Sequence, residues 1–156
     1  MSSSNTSVAV GGVDVRGPRF AAWVTTAVLE IVLVVSAFSP RAAAVLLGLQ
    51  AVVFAVGAVA GPRRHPYGRL FATVVAPRLG PVREREPAPP LKFAQLFGFV
   101  FAACGVAGFA AGSLVAGVVA TTAALVAAFL NAAFGICLGC QLYPLVARLR
   151  RSPNPA

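Results

Sequence analysis

The sequence predicts an all-α polytopic membrane protein: four transmembrane helices arranged as two hairpins, with a short interfacial helix in the loop between them. Three observations carry that reading. Mean hydropathy is +0.84. Only 11% of the 156 residues are charged, less than half of the quarter or so usual in a soluble domain. The apolar residues fall in four long runs separated by short turns or basic gaps. A chain of this length is expected to form one compact unit, here the four-helix transmembrane domain over residues 16–148, with disordered tails at residues 1–15 and 149–156.

Crossing about 30 Å of hydrocarbon takes about 20 mostly apolar residues. The first run, Phe20 to Phe38, ends at Ser39-Pro40-Arg41. The second, Ala42 to Ala60, stops at Gly61-Pro62-Arg63-Arg64. The third, Phe93 to Ala111, closes on the short turn Gly112-Ser113, and the fourth runs from Leu114 past Ile136 to Ala147. All four read as helices, because an open strand in lipid leaves backbone groups unpaired. In the middle loop, Tyr67–Ala76 has the makings of an interfacial helix that lays Leu70, Phe71, Val74 and Val75 on the membrane, with Arg69 and Arg78 at anionic headgroups. The Pro-dense, mixed-charge Pro81–Pro90 stretch reads as extended. Val35-Ser36-Ala37 resembles a signal-peptide cleavage site. The apolar core before it is nevertheless longer than a secretory h-region and a polar tail precedes it, so the first run is kept as a span.

Thirteen Lys and Arg against four Asp and Glu leave a net charge of +9. Basicity of this kind in a soluble domain points to nucleic acid; here the bases sit between apolar runs, where they set orientation. Arg16 and Arg19, the middle-loop bases from Arg63 to Lys92, and Arg148, Arg150 and Arg151 share one side, leaving Arg41 alone on the other. The expectation is a multi-pass protein of the cell membrane with both termini and the middle loop cytoplasmic, and no nucleic-acid partner. His65 lies in Arg63-Arg64-His65-Pro66-Tyr67-Gly68-Arg69. That cluster reads either as an anion site or as an orienting basic loop on a negative membrane surface, and the second reading is preferred.

Polar side chains inside the spans are expensive and each needs a reason. Counted from the outer turns, Glu30, Gln50, Cys104, Thr121 and Thr122 fall at about one depth, near the midplane. Glu30 is either a proton or cation site or, preferably, a protonated side chain bonded to Gln50 that holds two helices in register. Cys104 reads as a small core residue. Glycines spaced by four (Gly57 and Gly61, Gly108 and Gly112, Gly135 and Gly139) predict close helix contacts in a tight bundle, with a homo-oligomer as one use of them.

Cys137-Leu138-Gly139-Cys140 is the motif with chemistry in it. As one helix, the fourth run would be about 51 Å long, so the pair is expected near the cytoplasmic interface. There it sits towards a helix C-terminus, where the dipole opposes a thiolate. Residues three apart on a helix can be bridged, at some strain, and a strained bond suits exchange better than stapling. A dithiol is the expected resting form in a cytoplasmic setting. Redox or sulfur exchange and simple packing both remain open for the pair. Zinc would need more ligands than His65 and two cysteines supply, and Gln141 after the pair removes the haem-attachment pattern. No metal and no cofactor is expected.

Several blocks resemble a family of uncharacterised bacterial membrane proteins common in actinobacteria, catalogued as a domain of unknown function, number forty-three ninety-five. These are Val13–Phe20, Pro66–Phe71, Pro77–Pro81 and, most specifically, Phe129-Leu130-Asn131-Ala132-Ala133-Phe134-Gly135-Ile136-Cys137-Leu138-Gly139-Cys140-Gln141-Leu142-Tyr143. Gln141 stands where members often carry an acidic residue. The resemblance implies a small integral membrane protein with no assigned activity, and an association with thioredoxin-like or rhodanese-like sulfurtransferase proteins. On that reading Cys137 and Cys140 carry thiol–disulfide or sulfur-transfer chemistry, with Asn131, Gln141 and Tyr143 lining the site. The alternative is a non-catalytic membrane scaffold or small transporter subunit.

Overall fold

The computed structural model describes residues 12–150. Four long apolar helices form the bundle: α1 (Arg16–Ser36), α2 (Pro40–Ala60), α4 (Ala88–Ala110) and α5 (Leu114–Phe134). Between α2 and α4 lies α3 (Pro66–Leu70), continued by a π-helical turn at Phe71–Val75 and a 3₁₀ turn at Ala76–Arg78. A final helix, α6 (Leu138–Arg150), follows α5 after a break.

The starts and stops follow local chemistry. Ser39 and Ser113 cap α2 and α5, their hydroxyls accepting the N–H groups of Ala42 (3.3 Å) and Ala116 (3.4 Å). α4 begins five residues before the apolar run, because Pro89 and Pro90 fit a first helical turn that has no N–H bonds to lose. At its far end α2 closes on Lys92, whose ammonium donates to Val59 O at 2.9 Å.

The two hairpins pack across each other, α2 mainly on α4 and α1 mainly on α5, while α6 lies on α4. Leu29, Val32, Leu47, Phe54, Ala102, Phe109 and Ala124 form the core where the four long helices meet. Much of the outer surface is apolar, with Ile31, Val34, Val45, Val52, Val100 and Val119 exposed. That is the pattern of helices solvated by lipid.

Several sequence expectations are corrected. The segment assigned to a disordered tail is ordered from Gly12. Val13–Asp14 forms β1, antiparallel to β2 (Arg85–Glu86), with Val13 opposite Glu86 and Asp14 opposite Arg85. Asp14 also holds the Arg16 guanidinium in an ion pair at 2.9 Å, and a second bond from Arg16 reaches Gly80 O at 3.1 Å. Residues 1–11 lie outside the described residues, as do residues 151–156 at the other end. In the middle loop Phe71 does not lie on the membrane: it is buried against α1, its ring 5.8 Å from that of Phe20. Leu70 and Val74 do remain exposed.

The largest correction concerns the fourth apolar run, which is two helices rather than one. Gly135 takes a left-handed backbone (φ 71°), a conformation that favours glycine, and ends α5. Its N–H bonds Asn131 O and that of Ile136 bonds Leu130 O, both at 3.1 Å, so the last carbonyls are satisfied. Apolar periodicity could not reveal this break, because residues on both sides of it are apolar.

Candidate functional site

The break changes the setting of the cysteine pair. Cys137 precedes α6 as its N-cap: its carbonyl accepts the N–H of Gln141 at 3.0 Å, and its Sγ accepts the N–H of Cys140 at 3.3 Å. Sulfur here does what a serine or aspartate oxygen usually does at the third N–H of a helix. The pair therefore sits at a helix N-terminus, where the dipole favours negative charge, and the expected opposition of a C-terminus is overturned. Cys137 and Cys140 are joined as a disulfide, with Cα atoms 5.2 Å apart, where a dithiol is the sequence expectation.

Gly139, between the cysteines, lies directly against α4. A Cβ there would fall 2.5 Å from Ala94 Cα, so α6 and α4 approach backbone to backbone. Arg19 of α1 reaches the neighbouring helix end, donating to the carbonyls of Ala132 (3.4 Å) and Ala133 (3.5 Å). Pro144 inside α6 has no N–H to offer the carbonyl of Cys140.

Beside the pair opens a cavity of about 520 Å³ between α1, α4, α5 and α6. Cys137, Asn131 and Gln141 line it, together with Thr25, Gln95 and apolar residues such as Phe101 and Ala128. Tyr143 lies elsewhere, its ring 6.0 Å from that of Phe93, against a smaller cavity shared with Lys92 and Arg150. Gln95 and Thr25 were not anticipated. Each is a polar residue inside an apolar run, and that is the signal by which they could have been found.

The midplane layer does not assemble. Gln50 and Thr121 are buried, whereas Glu30, Cys104 and Thr122 are exposed on the outer surfaces of their helices. Glu30 and Gln50 are not bonded: Gln50 Oε1 instead accepts the Tyr67 hydroxyl at 2.7 Å. Thr121 donates to Gly117 O at 2.7 Å within its own helix. Cys104 is thus not a core residue.

A second polar cluster, not anticipated, surrounds Gly57. His65 is 3% exposed, and a Cβ on Gly57 would meet both the His65 ring (2.6 Å) and Gln95 Cγ (2.9 Å). His65 stacks edge-on to Tyr67 with ring centroids 5.3 Å apart. Both His65 nitrogens, Gln95 Oε1 and Gln50 Nε2 are buried without a hydrogen-bond partner. Burial lowers the His65 pKa to about 4; nearby Gln95 favours the cation, though no bond of good geometry joins the two. Burial also pushes the Tyr67 phenol up. His65 is therefore a neutral, enclosed ring rather than part of a solvated basic loop. No cluster of three or more metal-ligating side chains occurs among the described residues.

Four membrane-length apolar helices whose outer surface is largely apolar define an integral membrane protein of the multi-pass class. The chain belongs to the family described as Domain of unknown function (DUF4395), whose sequence model matches residues 13–148. No curated protein matches the chain, and no solved structure does.

Proposed function

We propose that the protein is a membrane partner in thiol–disulfide exchange on the cytoplasmic side, with Cys137 and Cys140 as the exchanging sulfurs. The observation that carries this reading is the placement of the bonded pair at the start of α6, with Cys137 as the cap of a free helix end. A sulfur leaving as thiolate from that position gains the helix dipole and the Cys140 N–H.

The exchange is balanced within the two partners. A thiolate of a soluble dithiol protein, of the thioredoxin-like or sulfurtransferase kind, attacks Cys140 Sγ, and the sulfur–sulfur bond breaks with Cys137 leaving as the thiolate. The partner's second thiol then resolves the mixed disulfide, so the partner ends oxidised and the pair ends as a dithiol. Asn131 and Gln141 line the approach. The bases at one end of α1, α2 and α4 and those at the end of α6 lie on the side of the pair, which supports cytoplasmic termini by the distribution of Lys and Arg. They also suit an inner leaflet with anionic headgroups.

The test is thiol labelling in a Cys104→Ala background, in intact cells and in inverted vesicles, before and after reduction. Labelling only from the cytoplasmic face, and only after reduction, is the expected result. A pair that stays unreactive with a soluble dithiol and after reduction, in membranes whose orientation is verified separately, removes the exchange reading. The pair is then a packing element of a scaffold.

A further inference from the structure

The cavity beside the disulfide has a composition that selects its occupant. Its lining carries no charged side chain, so it offers nothing to a phosphate, a carboxylate or a lipid headgroup. Its walls are mostly alanine, leucine and phenylalanine, and its volume of about 520 Å³ is that of a small-molecule site. Two polar groups of the lining, on α1 and α5, lack partners. Thr25 is 5% exposed and its hydroxyl makes no hydrogen bond among the described residues. The side-chain amide of Asn131 likewise has no partner among the described residues.

At 1.5 Å per residue, Asn131 lies about 5 Å, Gln95 about 10 Å and Thr25 about 14 Å from the ends of their helices nearest the pair. Phe101, on the same wall, is about 20 Å deep. The cavity thus runs from the disulfide at the interface towards the middle of the membrane, with its polar groups nearer the sulfur. An occupant matched to it is uncharged, has an apolar tail and carries oxygen atoms that accept hydrogen bonds from Thr25 and Asn131. Next to Cys137, it is also a molecule able to take or give two electrons.

Building on the exchange reading above, we infer that this cavity binds a membrane-soluble carrier of the quinone class, which reoxidises the Cys137–Cys140 dithiol. The step balances. The two thiols lose two protons and two electrons as the sulfur–sulfur bond forms, and the quinone takes up both protons and both electrons to become the quinol. The polar groups of the lining suit both forms: the Thr25 hydroxyl and the Asn131 amide can donate to quinone carbonyls and accept from quinol hydroxyls. Leaving a buried group unpaired is costly, which is why bound carrier is favoured over an empty cavity.

The test uses the purified full chain in detergent, with Cys104→Ala, reduced and freed of reductant. The probe is a benzoquinone substituted at every ring position and carrying a saturated alkyl tail, so that no thioether can form. Quinone loss is followed by absorbance and remaining thiols are counted. The expected result is one quinone reduced for each pair of thiols lost. In Ala128→Leu, which narrows the cavity, quinone reduction should slow at least about tenfold while disulfide exchange with a small soluble dithiol continues at the unaltered rate. Thr25→Val, a milder change, should raise the quinone concentration needed for half-maximal rate severalfold. If the unaltered protein exchanges with the soluble dithiol but reduces no quinone, this inference is overturned and the exchange reading stands. If it does neither, both fall. Equal quinone reduction in Ala128→Leu and the unaltered protein places the reaction outside the cavity and also overturns the inference.

Discussion

His65 is a base enclosed where its proton is unwelcome. The unfolded ring takes a proton near pH 6.5 and the folded ring only near about 4. Between those values the unfolded chain binds more protons than the folded one, so stability is full above about pH 6.5 and falls as pH drops towards 4. The loss should approach about 3 kcal/mol at the acid end. It can be read from unfolding in detergent across that pH range, and His65→Leu should flatten the slope. Tyr67→Phe tests the neighbouring bond. It leaves Gln50 Oε1 buried without its donor and should cost about 1–2 kcal/mol, with little change in the behaviour of the disulfide. Residues of this kind were only partly legible in the sequence. Gln50 stood out as a polar residue in a span, but its partner did not, because Tyr67 reaches it from a loop through tertiary packing. Glu30 was the natural partner by depth. Depth, however, does not determine which side of a helix a residue occupies, and Glu30 turns outward.

Helices were easier to read than their joints. Turn residues placed α2 and α5 closely, and the basic gaps separated the hairpins. The α5–α6 break was missed because its one local mark, Gly135, has the same appearance as the packing glycines around it. Gly139 belongs to the packing group, and its role can be tested directly. Gly139→Leu should push α6 off Ala94, lower stability by about 1–3 kcal/mol, and raise the rate at which the reduced cysteines react with a water-soluble reagent. Gly80→Ala, where a Cβ meets open space, should change neither quantity. An unchanged reaction rate in Gly139→Leu would mean that the α6–α4 contact does not govern access to the pair.

Across the whole molecule, the two hairpins share a core and are also tied outside it. The short β1–β2 ribbon and the Arg16–Gly80 bond fasten the beginning of α1 to the loop that leads into the second hairpin. The broken fourth run matters at this scale as well. α5 has 21 residues, about 31 Å of helix, close to the thickness of the hydrocarbon layer. The disulfide begins where that length ends, so its height relative to the headgroups is tied to the bilayer. Thicker membranes draw the sulfurs down among the acyl chains, and thinner ones lift them into water. Reconstitution in phosphatidylcholines of increasing chain length should therefore slow reaction of the pair with a water-soluble thiol reagent step by step, while reaction with a lipid-soluble reagent holds steady. The same joint that ends a helix makes the pair a gauge of membrane thickness, reporting the local lipid composition as a chemical rate.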